Sequence, residues 1–157
     1  MIDEPRIVRT ERREAAVIRF TIPRSEIKTV MQPGIAELMN TIAEQGIDPI
    51  GPVFSRHFRL DPEVFDFEVG VSVATPVIEA GRVKPGELPA AMVARTIYRG
   101  DYEGLGKAWG EFNAWLSGEG HKPATGLWEC YVKGPESGPD AATWETELNR
   151  PLERQAD

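Results

Sequence analysis

One carboxylate in this chain stands among aromatic residues inside an otherwise apolar segment. Within Leu127–Val132, Glu129 lies between Trp128 and Cys130, and Tyr131 follows. Side chains of a strand alternate between its two faces, so Glu129 and Tyr131 share one face. A carboxylate is costly to bury unless a partner compensates it. Next to an aromatic ring it attracts planar cations, because the ring quadrupole and the negative charge act on the same group.

The same alternation predicts which face of this strand is covered. The opposite face of the strand carries Trp128, Cys130 and Val132. We interpret this face as the one that packs on a helix. Glu129 and Tyr131 then face a cleft. The alternative is a solvent-facing glutamate on an ordinary amphipathic strand.

Other aromatic residues are candidates for the walls of such a site, with Trp109 at its edge. The candidate ligand-binding residues are Glu129, Tyr131, Trp144, Tyr98, Phe54, Trp109 and Phe65. If the protein is an enzyme, Glu129 and Tyr131 are the candidate catalytic residues. The alternative for each aromatic residue is a place in the core, which is where most such side chains lie. Glu147 is interpreted as structural, because alternation places it opposite Trp144.

The segments that carry these residues are repeated. Ala16 matches Ala91 at an offset of 75, Gly46 matches Gly120 at 74, and an offset of 75 aligns Glu129 with Phe54. A near-constant offset is typical of a duplicated supersecondary unit, although chance similarity is the alternative. Two related halves create one shared cleft, where a ligand is expected.

Each repeat predicts the order strand, helix, strand, strand. The first strand is expected over Arg6–Ile22, and the first main helix is expected to open at Pro33–Gly34 and to end at Gly46. Repeat 1 covers about 6–76, a Gly- and Pro-rich linker about 77–89, and repeat 2 about 90–153. Short turns favour antiparallel pairing. The prediction is one α+β domain over 1–157, with a bent antiparallel sheet, two main helices and a central ligand cleft.

Composition limits the classes of function. The 157 residues include 18 basic and 25 acidic side chains, giving a net charge of −7. This sign argues against a nucleic-acid surface, which needs a basic patch. The N-terminus does not resemble a signal peptide, and no apolar run is long enough for a membrane span. One cysteine and two unconnected histidines give no metal-ligand set. We expect a cytoplasmic protein without metal or cofactor and without nucleic-acid or membrane partners; the oligomeric state stays open.

Three stretches carry a resemblance to a known family. They are Val93–Tyr102, Gly126–Tyr131, and Trp144–Leu148 with Pro151–Leu152; Glu68–Val71 looks like the corresponding part of the first repeat. The chain resembles the GyrI-like small-molecule-binding family, which is also seen as the effector-binding domain of AraC-type and multidrug-sensing transcription regulators and has a SOUL-like duplicated fold.

The resemblance implies a ligand cleft between the halves, with a central glutamate at Glu129 and a pocket aromatic at Trp144. We expect no DNA-binding helix-turn-helix, because Arg6 already begins the first strand. The first hypothesis is therefore a stand-alone protein that senses or sequesters hydrophobic planar compounds, cationic ones included. The second is a hydrolase of reactive electrophilic small molecules that uses Glu129 as general acid or base. A third is inhibition of a protein partner through the acidic surface.

Overall fold

The computed structural model describes residues 2–134 and 138–153. These residues form eight β-strands and two α-helices. In chain order the elements are β1 (Arg6–Thr10), β2 (Arg13–Pro23), α1 (Ile27–Glu44), β3 (Pro49–Leu60), β4 (Val64–Val73), β5 (Lys84–Leu88), β6 (Ala91–Arg99), α2 (Leu105–Gly118), β7 (Leu127–Lys133) and β8 (Glu145–Pro151).

The chain divides into two compact units. Unit I is Glu11–Ala90, and unit II combines the residues up to Thr10 with those from Ala91 onward. In unit I the strand order is β3–β4–β2–β5, and in unit II it is β1–β6–β8–β7. Neighbouring strands within each unit pair antiparallel. The α+β class, the antiparallel pairing and the two main helices are thus confirmed.

Each unit covers one face of its strands with its own helix. In unit I, Leu38 and Ile42 of α1 pack against the buried residues of β2 and β4, which include Ile18 and Val69. In unit II, Phe112 and Leu116 of α2 pack with Leu148 and its neighbours. The apolar residues of each helix recur at i, i+4, which makes one stripe that faces the strands.

The first predicted strand proves to be two strands. Where we expected Arg6–Ile22 to be continuous, β1 ends at Thr10 and pairs with β6, while β2 begins at Arg13 and pairs with β4 and β5. The chain passes from one unit to the other at this break. An extended pattern in the sequence does not show such a change of partner, because both segments alternate in the same way.

The first helix begins earlier than predicted. Helix α1 starts at Ile27, so Pro33 lies inside it instead of opening it. A proline there removes one backbone hydrogen bond, the one to the carbonyl of Thr29. The turns before it nevertheless stay helical because Ile27, Val30 and Met31 pack against the core of unit I.

The segment predicted as a linker contains strand β5. Gly86 lies opposite Ala15 of β2, and a Cβ at position 86 would come within 2.7 Å of Val17 Cγ2. Glycine therefore allows this close approach. Pro85 is tolerated because β5 is the last strand in the order of unit I, and an edge strand need not donate to a further neighbour.

Candidate functional site

The face of β7 that carries Glu129 is the face that α2 covers. Glu129 pairs with Leu148 of β8, and Leu148 belongs to the same buried cluster as Phe112 and Leu116 of α2. Our prediction that Trp128, Cys130 and Val132 face the helix is therefore wrong. Apart from Glu129, the residues of Leu127–Val132 are all apolar or aromatic, so hydrophobicity does not distinguish the two faces.

Both carboxylate oxygens of Glu129 accept hydrogen bonds from aromatic side chains. Trp109 Nε1 donates to Oε2 at 2.6 Å, and the Tyr131 hydroxyl donates to Oε1 at 2.9 Å. Glu129 is 8% exposed. Hydrogen bonds that a charged carboxylate accepts offset part of the cost of burying it.

Helix α2 delivers Trp109 to this position. Ala108 and Phe112 of the same stripe are buried, and the Trp109 ring packs 5.6 Å from that of Phe112. The indole can therefore reach β7 while its ring remains part of the apolar surface of the helix. Trp109, which we expected at the edge of the site, is in direct contact with the central carboxylate.

An aromatic cluster continues from Tyr131. The ring of Tyr102 lies 5.7 Å from that of Tyr131 and 5.2 Å from that of Trp144. The indole of Trp144 donates to the carbonyl of Gly138 at 3.1 Å. Tyr102 belongs to a short 3-10 helix, Tyr102–Gly104, that leads into α2. Tyr102 is not among the candidate residues of the sequence analysis.

Tyr98 is buried on the same side of the strands. It lies opposite Thr146 in the pairing of β6 with β8. Its hydroxyl reaches the turn before α2, where an added Cβ on Gly100 would lie 2.6 Å from it and one on Gly104 would overlap it. Burial, and secondarily the charge of Asp101, raise the pKa of Tyr98.

Two buried polar groups on β8 have no hydrogen-bond partner within the described part of the chain. They are Oγ1 of Thr146 and Nε of Arg150. Alternation places both on the same face as Leu148, and so on the side of Glu129. Burial lowers the pKa of Arg150. Its terminal amino group donates to the carbonyl of Ala124 at 3.5 Å.

Phe54 and Phe65 belong to unit I. Phe54 is fully buried, and a Cβ added to Gly70 would lie only 2.6 Å from its ring. Phe65 packs against His57 at 5.2 Å between ring centroids and carries the guanidinium of Arg24 over its face at 4.4 Å. Their assignment to a shared ligand site stays a prediction, as does the cleft between the repeats.

The two units match at an offset of 74 in their helices and in the following strands. Leu38 corresponds to Phe112, and Gly46 and Gly120, both with positive φ, end the two helices. At this offset Glu129 corresponds to Ser55, which faces α1, and our alignment of Glu129 with Phe54 is one residue out of register. A slip of one residue exchanges the faces of a strand.

The corresponding pair in unit I is Ser55 and His57. Ser55 Oγ lies 3.3 Å from His57 Nε2, and the imidazole stacks on Phe67 at 5.1 Å. Burial, and secondarily the charge of Arg24, lower the pKa of His57 to about 4. The position that holds a carboxylate in unit II thus holds a neutral hydroxyl in unit I.

Glu147 lies on the opposite face of β8 and has partners of its own there. Its carboxylate is 3.3 Å from Arg95 Nε and accepts a hydrogen bond from Asn149 Nδ2 at 3.1 Å. Arg95 also donates to Asn149 Oδ1 at 2.7 Å. This closed network agrees with the interpretation of Glu147 as structural.

A family model now connects this geometry with known proteins. The model described as GyrI-like small molecule binding domain matches residues 3–153. The chain belongs to the GyrI-like family. No curated protein matches the sequence.

Several solved structures share the GyrI-like fold of this chain. The C-terminal domain of EcmrR, 19% identical, has a TM-score of 0.85 over 97% of this chain and 98% of that one. In the EcmrR–DNA complex the match covers 58% of the EcmrR chain, so this chain spans less than two thirds of that protein. SAV2435 bound to tetraphenylphosphonium is 12% identical, with a TM-score of 0.70 over 96% of this chain and 94% of that one. A hydrolase from Listeria innocua is 12% identical, with a TM-score of 0.64 over 96% and 92%.

Residues 2–134 and 138–153 also bear on metal binding and on membrane spanning. No cluster of three or more His, Cys, Asp or Glu side chains is placed to hold a metal ion. No helix in this part of the chain combines the length and the apolar character needed to cross a bilayer.

Proposed function

We propose that this GyrI-like protein binds hydrophobic aromatic cations and that Glu129 is their charge partner. The observation that carries the proposal is the buried carboxylate of Glu129, held at both oxygens by Trp109 and Tyr131. The proposal is supported by SAV2435, a protein of the same fold that was solved with the lipophilic cation tetraphenylphosphonium.

Both donors to this carboxylate are neutral groups, the indole N–H of Trp109 and the hydroxyl of Tyr131. A hydrogen bond from a neutral donor leaves the negative charge on the carboxylate oxygens. Trp109 and Tyr131 therefore orient the charge without neutralising it. The aromatic rings of Tyr131, Tyr102 and Trp144 supply apolar surface, and their π-faces attract the same cation.

The proposal is tested with two probes that differ in charge. Tetraphenylphosphonium is the cationic probe, and N-phenyl-1-naphthylamine is an uncharged aromatic probe. In Glu129→Gln we expect the affinity for tetraphenylphosphonium to fall about 10- to 100-fold, because one charge-assisted contact is lost. Affinity for the uncharged probe should change less than about threefold. Both affinities are measured by titration calorimetry or fluorescence.

Glu147→Gln is the matched control. It removes the same charge from the neighbouring strand, but from the opposite face, where Arg95 and Asn149 are the partners. If Glu147→Gln weakens tetraphenylphosphonium binding as much as Glu129→Gln does, the effect comes from net charge and the assignment of Glu129 is wrong. Equal losses for both probes in Glu129→Gln would also contradict the electrostatic account.

Hydrolysis of an electrophilic small molecule is the second candidate function. The hydroxyl of Tyr131, 2.9 Å from Glu129, is a second group beside the carboxylate that could orient a water or a leaving group. A protein of the same fold is described as a hydrolase from Listeria innocua. Product formation by the wild type that disappears in Glu129→Gln, while binding persists, would support this function. Stoichiometric binding without product would support binding alone.

A further inference from the structure

The hydroxyl of Thr146 is an anomaly in the core of unit II. The residue is 0% exposed, and Oγ1 finds no hydrogen-bond partner among the residues that the structure describes. Buried polar side-chain atoms are paired in the large majority of cases, because an unpaired one loses its hydration without compensation. Valine has the same shape without the hydroxyl, so packing alone does not require threonine here.

Thr146 lies beside the partner of the central carboxylate. It pairs with Tyr131 of β7 on one side and with Tyr98 of β6 on the other. Opposite residues of neighbouring strands point to the same face. Since the hydroxyl of Tyr131 donates to Glu129, the Thr146 hydroxyl stands on the carboxylate's side of the strands, between two tyrosine residues.

A second buried threonine on this face shows the usual arrangement. Thr96 of β6 pairs with Leu148, and its Oγ1 donates to the carbonyl of Asp3 at 2.7 Å. The fold therefore satisfies a threonine hydroxyl at one position of this face and not at the other. Thr96 is for this reason the natural control for Thr146.

We propose that Thr146 Oγ1 makes a hydrogen bond to the bound compound, and that the ligands of this site are aromatic cations that also carry a hydroxyl, carbonyl or amino group. The inference rests on the proposed function and narrows its ligand class. The cation interacts with Glu129, and the polar substituent pairs with Thr146 at the neighbouring position of the sheet. Binding then removes the cost of the unpaired hydroxyl, which a purely apolar compound leaves in place.

Thr146 is fully buried, so a ligand reaches its hydroxyl only if neighbouring side chains move. The ring of Tyr102 contacts that of Tyr131, the residue that lies opposite Thr146, and Tyr102 is 37% exposed. It is carried by the short 3-10 helix that leads into α2, not by a strand. Movement of the Tyr102 side chain is therefore part of this proposal.

The test compares phosphonium cations that differ by one hydroxyl group. Tetraphenylphosphonium has no hydrogen-bonding atom, whereas (3-hydroxyphenyl)triphenylphosphonium and (4-hydroxyphenyl)triphenylphosphonium have one. We expect the wild type to bind at least one hydroxylated probe about three- to tenfold more tightly than the parent cation, as one added hydrogen bond allows. In Thr146→Val this preference should disappear, and in Thr96→Val it should persist.

A second readout needs no ligand. Removing an unpaired buried hydroxyl should raise the midpoint of thermal unfolding of Thr146→Val by about 2–4 °C. Thr96→Val loses a formed hydrogen bond, and its midpoint should fall. A lower midpoint for Thr146→Val would mean that a bound water already pairs the hydroxyl, and would overturn the proposal.

The outcomes separate this inference from the proposed function. If the wild type binds tetraphenylphosphonium through Glu129 but shows no preference for either hydroxylated probe, the role of Thr146 is wrong and the proposed function stands. If none of the three cations binds, both are wrong. A preference that survives in Thr146→Val assigns the hydrogen bond to another residue and also overturns the inference.

Discussion

At the carboxylate of Glu129 two hydrogen-bond donors arrive from different elements. Tyr131 lies two residues along the same strand, whereas Trp109 belongs to α2 and is 20 residues away in the chain. The contact with Trp109 therefore joins the helix to the strand through a polar pair within an apolar interface. Removing Trp109 takes away the donor to Oε2, and removing Glu129 takes away the acceptor of the indole N–H, so either change costs free energy in this buried interface.

The hydrogen bond between Trp109 and Glu129 predicts the effect of Trp109→Phe. The substitution keeps most of the ring but removes the donor to Glu129 Oε2, so the free energy of unfolding should fall by about 1–3 kcal/mol. Urea denaturation measures it. Trp115→Phe is the control on the same helix, because the Trp115 ring stacks on His121 and its indole N–H has no acceptor within residues 2–134 and 138–153.

A double-mutant cycle makes this prediction specific. Trp109→Phe and Glu129→Gln should show a coupling energy of about 0.5–3 kcal/mol, as residues in direct contact do. A coupling near zero, with equal losses for Trp109→Phe and Trp115→Phe, would mean that only ring volume matters at position 109.

At the level of the elements, glycines serve opposite purposes in the helix and the strand. In α2, a Cβ on Gly110 would meet no atom within 4 Å. In β4, a Cβ on Gly70 would lie 2.6 Å from Phe54 and 2.9 Å from Val17. The strand glycine makes room for the Phe54 ring, whereas the helix glycine only adds conformational entropy to the unfolded chain.

We therefore expect alanine to change the free energy of unfolding in opposite directions at these two positions. Gly110→Ala should stabilise the protein by about 0.5–1 kcal/mol, and Gly70→Ala should destabilise it by about 1–3 kcal/mol through overpacking. Chemical denaturation of the two variants measures both effects. Stabilisation by Gly70→Ala would show that Phe54 can move away, and so that its packing is loose.

At the level of the whole molecule, one buried histidine links stability to pH. His57 has a pKa of about 4 in the folded chain because burial disfavours its charged form, against an ordinary value of about 6.5 in the unfolded chain. Between these values the unfolded chain binds a proton that the folded chain does not. The contribution of the neutral His57 imidazole to the free energy of unfolding is fully present above about pH 6.5. It is lost as the pH falls toward 4.

The free energy of unfolding should accordingly be about 2 kcal/mol lower at pH 5 than at pH 7 through His57 alone. Urea denaturation at the two pH values measures the difference, and His57→Gln should reduce it by that amount. His121→Gln removes the other histidine and is the control. Glu68, whose pKa burial raises despite Arg56 and Arg19, contributes to the remaining dependence. If the free energy of unfolding still differs by the same amount between the two pH values in His57→Gln, the assignment of this pH dependence to His57 is wrong.

Much of the element order could be read from local patterns. The end of the first helix at Gly46 was predicted because a positive φ favours glycine, and Gly120 is its match in the second repeat. The start of α1 was predicted wrongly, since proline is typical of the first turn of a helix and only the packing of Ile27 and Met31 extends the helix in front of Pro33. Strand β5 was not predicted, because its Gly and Pro residues suit an edge strand as well as a linker.

By itself the sequence determined the family and the α+β class, and it singled out Glu129 as a candidate, because these depend on residue types and on spacings within single elements. Only the tertiary structure decided that α2 covers the Glu129 face, that Trp109 is one of its partners, and that the hydroxyl of Thr146 has none among the residues that the structure describes. The physical reason is that neighbouring residues of a strand point in opposite directions. When both faces of β7 carry apolar residues, one position of register decides what each side chain meets, and packing against the helix sets that register.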